Sequence, residues 1–306
     1  MRVADGPLQL DGRTVTVSSA AKVLFPDDGL SKGDLIGHYL RVAPVMLPHL
    51  RDRPLNLERY PDGIGRSGFL QQDASEHFPD WIRTVAVARR GRGGTVDHVV
   101  CDDAASLAYL ANQGAVTFHA WTARAGRLDE PDLVVFDLDP AAGQGLDVVR
   151  AAARAVRRAL DEVGLSAFVQ TSGSRGYHVV APLLPGADTE TVLDFAGRLA
   201  ALVAARDPEQ RTVEARKAKR RGRLYVDVGR NAYAQTAVAP YAVRARPGAP
   251  VATPIDWSEL GRVAPRGYTV GNLPRRLARK RDPWAALPDH AGDLAAAAAR
   301  LARLRS

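Results

Sequence analysis

Apolar and polar positions change period several times along the chain, and each change marks an element. Leu35, Tyr39, Val42 and Val45 recur at helical spacing behind Ser31 and Asp34, the two halves of a capping box. A helix is expected over residues 32–50, bent or broken at Pro44 and Pro48. Residues 1–30 read as an irregular arm with one short strand at 14–17 and a turn at Pro26-Asp27-Asp28-Gly29. Residues 54–59 and 96–101 read as strands, the first ending in the turn Tyr60-Pro61-Asp62-Gly63, the second entered through a hairpin tip at 91–94. Helical spacing returns over 103–113 and stops at Gly114, and a strand over 116–121 carries Thr117, His119 and Trp121 on one face.

The second half is more strongly patterned. The run LVVFDLDP at 133–140 drives four apolar residues straight into two aspartates at i and i+2. An amphipathic helix over 146–163 stops at Gly164, and strands at 166–171 and 177–183 flank the tight loop Ser172-Gly173-Ser174-Arg175-Gly176. A helix over 189–205 starts at Asp188 or Thr189, and strands are expected at 224–228, holding Asp227, and at 234–244. Residues 247–254 look like a linker, a short basic helix begins at Asn272, and an Ala-rich helix follows. There is no internal repeat, and strands and helices mixed in this order imply an α/β or α+β protein.

Composition narrows the function classes. No apolar stretch is long enough to span a bilayer and the first residues lack the apolar segment of a signal peptide, so a cytoplasmic protein is expected, without a membrane partner. The single cysteine, Cys101, excludes an internal disulfide and a cysteine-based zinc site. A net charge of +8 and a pI near 9.9 point to a polyanionic partner, most often nucleic acid. Residues 211–223 hold seven basic side chains against Glu214 alone. Such runs are usually solvated faces, and Lys217 and Arg220 are the members expected to grip DNA or a triphosphate.

Chemistry gathers at the aspartates. On a strand, Asp137 and Asp139 project to the same face, and two carboxylates so close call for a cation between them. Mg²⁺ or Mn²⁺ is the usual answer; a polar turn ending a strand is the plain alternative. Asp227 on a later strand would complete an acidic cluster able to hold two ions about 4 Å apart. The loop at 172–176 offers hydroxyls, backbone N–H groups and the Arg175 guanidinium, which suit phosphate oxygens. A haloacid-dehalogenase-type phosphohydrolase would also show FDLDP, with Asp137 as nucleophile, Asp139 as general acid and Thr171 or Ser172 on the phosphate. It further needs a lysine after that strand and a later acidic pair, and no lysine lies between Lys32 and Lys217.

Taken together, AAKVLFPDDGLSKGDLIGHY, RPLNLERYPDGI, PDWIRTV, LVVFDLDP, TSGSRGYHVVAPL, LYVDVGRN and the tail from APYAVRARP through WSEL to RDPW resemble the polymerase module of bacterial ligase D. That module belongs to the archaeo-eukaryotic primase superfamily and works in non-homologous end joining. The resemblance implies a primase-type core with a central, mostly antiparallel sheet flanked by helices, over about 116–306, and an N-terminal α/β module for DNA ends over about 1–115. It implies a DNA polymerase that fills gaps from a template, prefers ribonucleotides and uses two Mn²⁺ or Mg²⁺ ions. Asp137, Asp139 and Asp227 would bind the metals. His119, Ser172, Arg175, His178 and Arg244 would hold the incoming nucleoside triphosphate, to which Arg220 is added from the basic run; Lys22 and Lys32 would hold the 5′-phosphate of a break, and Phe69 would stack on the template.

The chain departs from the pattern in four places. Arg175 stands where relatives commonly carry lysine, Gln72 replaces a second lysine, an aromatic pair is reduced to Phe69-Leu70, and VGRN puts Arg230 where WSQN is usual. No KxDG adenylation motif is present. A stand-alone polymerase is therefore expected, with a separate DNA ligase and Ku as partners on 5′-phosphorylated gaps or ends, near the nucleoid. A catalytically silent DNA-end-binding module is the other reading.

Overall fold

The computed structural model describes residues 2–91 and 93–304. By contacts the chain separates into two units, the first made of residues 1–121, 238–252 and 268–280, the second of 122–237, 253–267 and 281–306. Each draws on three segments. Among the described residues no helix is long and apolar enough to cross a membrane.

The first unit opens with a hairpin, Gly6–Leu10 against Arg13–Val17, closed by Asp11-Gly12 at φ 49° and 75°. Two left-handed residues give the tight turn that suits strand twist, which is why Asp-Gly is favoured there. The sequence reading found only the second strand. Lys32–Leu50 is one continuous helix with Pro44 and Pro48 inside it, so of the two outcomes expected at the prolines a break does not occur. The reciprocal Ser31–Asp34 capping box starts it, and its buried face of Leu35, Ile36, Tyr39, Val42 and Met46 offsets the backbone bonds that the prolines forfeit. Tyr39 packs edge-on against Phe118 at 4.8 Å, donates to the Val116 carbonyl at 2.6 Å and accepts from the Val243 N–H at 3.1 Å. Burying each such ring contributes roughly 2–3 kcal/mol.

Behind that helix lies an antiparallel sheet in the order Ala115–Trp121, Pro54–Arg59, Thr95–Val100, Thr84–Ala88, with Phe69–Gln71 also beside Pro54–Arg59. The hairpin tip at 91–94 falls where expected, Arg89 N–H bonding the Gly94 carbonyl at 3.0 Å; Arg92 lies outside the described residues. Residues expected as a strand over 234–244 form one only at Thr236–Val238, and Ala249 to Thr253 are buried rather than a linker.

The second unit is a sheet ordered Arg211–Thr212, Leu224–Asp227, Leu133–Asp139, Tyr177–Pro182, Phe168–Thr171, Pro254–Ile255, antiparallel except for its first pair. The helices Leu146–Val163 and Thr189–Ala205 pack on it, and Leu294–Arg303 packs on both. Val134, Phe136 and Leu138 on the central strand are fully buried, and the alternate residues Val135, Asp137 and Asp139 face the other way. Val135 packs there with Val180, Trp284 and Leu287, so the carboxylates stand at the end of a dry strand rather than inside the core.

Candidate active site

Register brings the predicted aspartates together. Asp137 lies opposite Asp227 on one neighbouring strand and opposite His178 on the other, and Gln170 lies opposite His178 on the strand beyond. Gln170, His178, Asp137 and Asp227 therefore form one row across the sheet, all on one face, with Asp139 and Tyr225 paired in the next row. Directly opposed carboxylates some 5 Å apart repel by roughly 3 kcal/mol at an effective dielectric near 20. Side-chain N–H groups meet that repulsion. His178 Nε2 is 3.4 Å from Asp137 Oδ1 and Arg230 Nε is 3.6 Å from Oδ2. Arg175 and Arg220 each reach an oxygen of Asp139 at 3.0 Å. Asp227 accepts the Gly229 N–H at 2.8 Å.

His178 is almost fully buried and held from both sides, its Nδ1 lying 3.4 Å from the Gln170 amide nitrogen. An amide nitrogen only donates, so the ring proton belongs on Nε2, facing Asp137. Arg220 is as strongly fixed: its guanidinium stacks 4.1 Å over Tyr225 and donates to the Glu214 and Ala215 carbonyls as well as to Asp139. Burial first, then the Asp227 charge, pushes the Tyr225 hydroxyl up to about 12, so it stays a neutral donor. Elsewhere in the basic run the outcome is structural. Arg211 is buried on Asp207 and the Val203 carbonyl, while Lys217 is exposed on a short 3₁₀ turn.

The loop at 172–176 is tied to itself. Ser172 Oγ donates to the Gly176 carbonyl at 2.8 Å and accepts the N–H groups of Ser174 and Gly176 at 3.2 Å. Gly176 has no alternative, since a Cβ there would lie 1.8 Å from the Leu138 carbonyl of the aspartate strand. Ser172 thus shapes the loop, and Arg175 is its exposed cation.

The first unit carries the other predicted residues. Lys22 and Lys32 sit on paired backbone, Lys32 N–H bonding the Lys22 carbonyl at 2.8 Å. Lys22 Nζ meets Asp62 at 2.6 Å, whereas the Lys32 ammonium is buried and bonds the Asn112 carbonyl at 3.2 Å. Burial, with the Lys22 charge adding, lowers the Lys32 pKa, and Asp5 opposes both. Phe69 and Leu70 are half exposed on an edge strand, Arg59 lying 5.2 Å over the Phe69 ring, and Gln72 is exposed beyond them. His119 Nε2 is 3.7 Å from Glu58 Oε2, and Arg244 acts on the same carboxylate through its charge.

Among the described residues no three His, Cys, Asp or Glu side chains converge as a ready metal-binding group. The donors nonetheless fit hard divalent ions: three carboxylates on one face offer only oxygen, and the positive charge that Arg175, Arg220 and Arg230 now supply is the charge such ions would bring. Residues 31–284 match the family "LigD, primase-polymerase domain". The chain belongs to this family.

Metal dependence is general in the family, and its chemistry is that of a nucleotidyltransferase. The polymerase domain of Mycobacterium tuberculosis ligase D, solved in complex with DNA, is 33% identical with a TM-score of 0.85, over 91% of this chain and 99% of that one. The mixed α/β fold with its antiparallel sheet is the same. The M. tuberculosis multifunctional non-homologous end joining DNA repair protein LigD is 34% identical over 276 residues, 88% of this chain and 36% of that protein. Pseudomonas aeruginosa LigD is 33% identical over 91% of this chain and 33% of its own length. The chain thus spans about a third of these relatives. The phosphohydrolase reading has no support in this set.

Sequence reasoning missed Gln170, Tyr225, Glu58 and Asn231. For Gln170 the signal was its place in FVQTS, two residues before Ser172 on an otherwise apolar strand. For Asn231 it was the last letter of VGRN.

Proposed function

We propose that this chain extends DNA primers at break ends and across gaps by template-directed nucleotidyl transfer, a primer 3′-hydroxyl displacing pyrophosphate from a nucleoside triphosphate. The observation that carries it is the register setting Asp137 opposite Asp227 with Asp139 two residues on. When bound, a pair of Mn²⁺ or Mg²⁺ ions supplies a lowered pKa at the attacking hydroxyl and neutralises charge at the leaving phosphate. The three aspartates hold that pair. His178, its tautomer set by Gln170, steadies Asp137; Arg175 turns from Asp139 toward the triphosphate while Arg220 stays to frame the acidic cluster; Ser172 holds the shape of the loop that carries Arg175. His119 and Arg244 are nucleotide contacts by family resemblance, as is the preference for ribonucleotides. Catalysis falls to the second unit and DNA-end binding to the first, with Phe69 stacking on the template. A Ku-type end-binding protein and a ligase activity complete the reaction series near the nucleoid.

Incubating the protein with a primer-template, Mn²⁺ and labelled ribonucleotides tests the proposal: lengthened primer supports it, and binding without extension leaves only the silent end-binding module. Lys22 and Lys32 carry a separate prediction. Alanine at both is expected to weaken binding to gapped DNA bearing a 5′-phosphate by about tenfold or more, and binding to the same DNA without it by less than about threefold. Fluorescence anisotropy reads the difference. Equal losses would make the two lysines general backbone contacts.

A further inference from the structure

Glu58 takes no part in the chemistry above, yet it is the centre of a partly buried polar cluster of the first unit. It lies on Pro54–Arg59, and the register Leu57 opposite Phe118 puts Glu58 and His119 on the same face as diagonal neighbours. Its Oε2 is 3.7 Å from His119 Nε2, and its Oε1 accepts the Tyr60 hydroxyl at 2.9 Å. Both partners of the Glu58–His119 pair are largely buried, with side-chain exposures of 29% and 19%. The His119 imidazole beside it, against the opposing effect of burial, and then the hydrogen bond from Tyr60 hold the Glu58 carboxyl down at about 2.

We propose that Glu58 is a positioning residue that fixes the His119 imidazole and favours its charged form, so that a cation is already in place when a triphosphate arrives. This rests on the reading of His119 as a nucleotide contact. An unaided imidazole is largely neutral above pH 7 and would meet the triphosphate uncharged. A carboxylate at ion-pair distance carries the imidazolium past neutrality, and the sheet register makes that distance a property of the fold.

The groups facing Glu58 support this assignment. Tyr60 comes from the loop after its strand, Tyr39 from the helix Lys32–Leu50, Arg244 from the 238–252 segment, and His119 from the neighbouring strand. Burial raises both tyrosines, so each stays neutral through the physiological range, and Arg244 stays charged. Within this group, His119 is the side chain left to change charge between about pH 6 and 8. Arg244 opposes its protonation and Glu58 favours it, with the Glu58 carboxylate at ion-pair distance, 3.7 Å, on a diagonal set by the strand register.

The test is a proton NMR titration of His119 together with steady-state extension by the full chain. In the unaltered protein His119 is expected to titrate above 6.5, and Glu58→Gln to lower that value by about one unit. The KM for the nucleoside triphosphate at pH 8 should rise about five- to tenfold in Glu58→Gln, with kcat within about twofold, and the gap should close near pH 6, where the ring is protonated in both. His119→Ala should raise KM at both pH values, with no further effect of adding Glu58→Gln. A wild-type titration at or below 6.5, or one that Glu58→Gln does not move, overturns the proposal, and the wild-type measurement needs no variant to fold. Should the titration shift as expected while His119→Ala leaves KM unchanged, the nucleotide-contact reading fails and the role given to Glu58 fails with it.

Discussion

Replacing Asp227 by asparagine is expected to lower primer extension by about a thousandfold or more while leaving DNA affinity within about twofold. Asparagine keeps the carbonyl oxygen that accepts the Gly229 N–H, so the turn after the strand survives and the loss belongs to the charge. Removing one of two directly opposed carboxylates also relieves their repulsion, so the melting temperature should hold or rise. Asp137→Asn differs in an informative way. It removes the negative charge that faces His178 and Arg230, though an oxygen can still accept from the imidazole, so that variant should be both inactive and less stable. Extension assays at saturating Mn²⁺, paired with thermal melts, separate the two effects. Near wild-type extension by Asp227→Asn would falsify the assignment of a third metal-holding carboxylate.

The central strand was legible because its pattern is local. Four apolar residues running into Asp137 and Asp139 fix strand and facing at once, and period two settles which side chains share a face. Glycines and capping residues marked helix ends for the same reason: Gly164, Asp188 and the Ser31–Asp34 box each act within one turn. Registers are another matter. That Asp227 falls opposite Asp137, 90 positions earlier in the chain, follows from strand pairing, and only the family resemblance pointed to it. The segments 238–252 and 268–280, which return to the first unit, and the burial of 249–254 carry no local signal either, since Pro, Gly and Ala in sequence look like a linker whether or not a core closes over them. The Asp11-Gly12 hairpin was readable and went unread, because its first strand is short and only half apolar.

The arginine departures are intelligible from the same geometry. Arg175 reaches Asp139 and Arg230 lies beside Asp137, so both stand among carboxylates that a divalent ion must share. Side chains 54% and 41% exposed can swing aside at little expense, and such pairs contribute at most about 1 kcal/mol each. Arg220, with a 12% exposed side chain and carbonyl partners on two sides, is not free in that sense; it frames the acidic cluster while the other two leave.

The second large effect is expected away from any reacting atom, at Asn231. The strand Leu224–Asp227 pairs with Asp137 to Asp139 and then turns away, which leaves the same edge of the central strand without a strand neighbour at Val135. The fully buried amide of Asn231 fills that gap: Oδ1 accepts the Val135 N–H, and Nδ2 donates to the carbonyls of Val135 and Val228, each at 2.8 Å. A side chain thus continues the ladder by which the aspartate strand is held. Asn231→Ala strands the Val135 N–H and carbonyl in a dry interior, while the Val228 carbonyl keeps the residue-231 backbone N–H at 3.0 Å, a loss of roughly 2–4 kcal/mol. The second unit should then melt about 8–15 °C lower. Asn231→Asp is expected to do no better, because a carboxylate accepts from Val135 N–H but cannot donate to either carbonyl and buries its charge among them. At a temperature where the alanine variant stays folded, kcat should fall more than the nucleotide KM, since what shifts is the edge that sets Asp137 against Asp227. A melt within a degree or two of wild type would show that the Val135 backbone finds other partners, and that the acidic row is held by strand pairing alone.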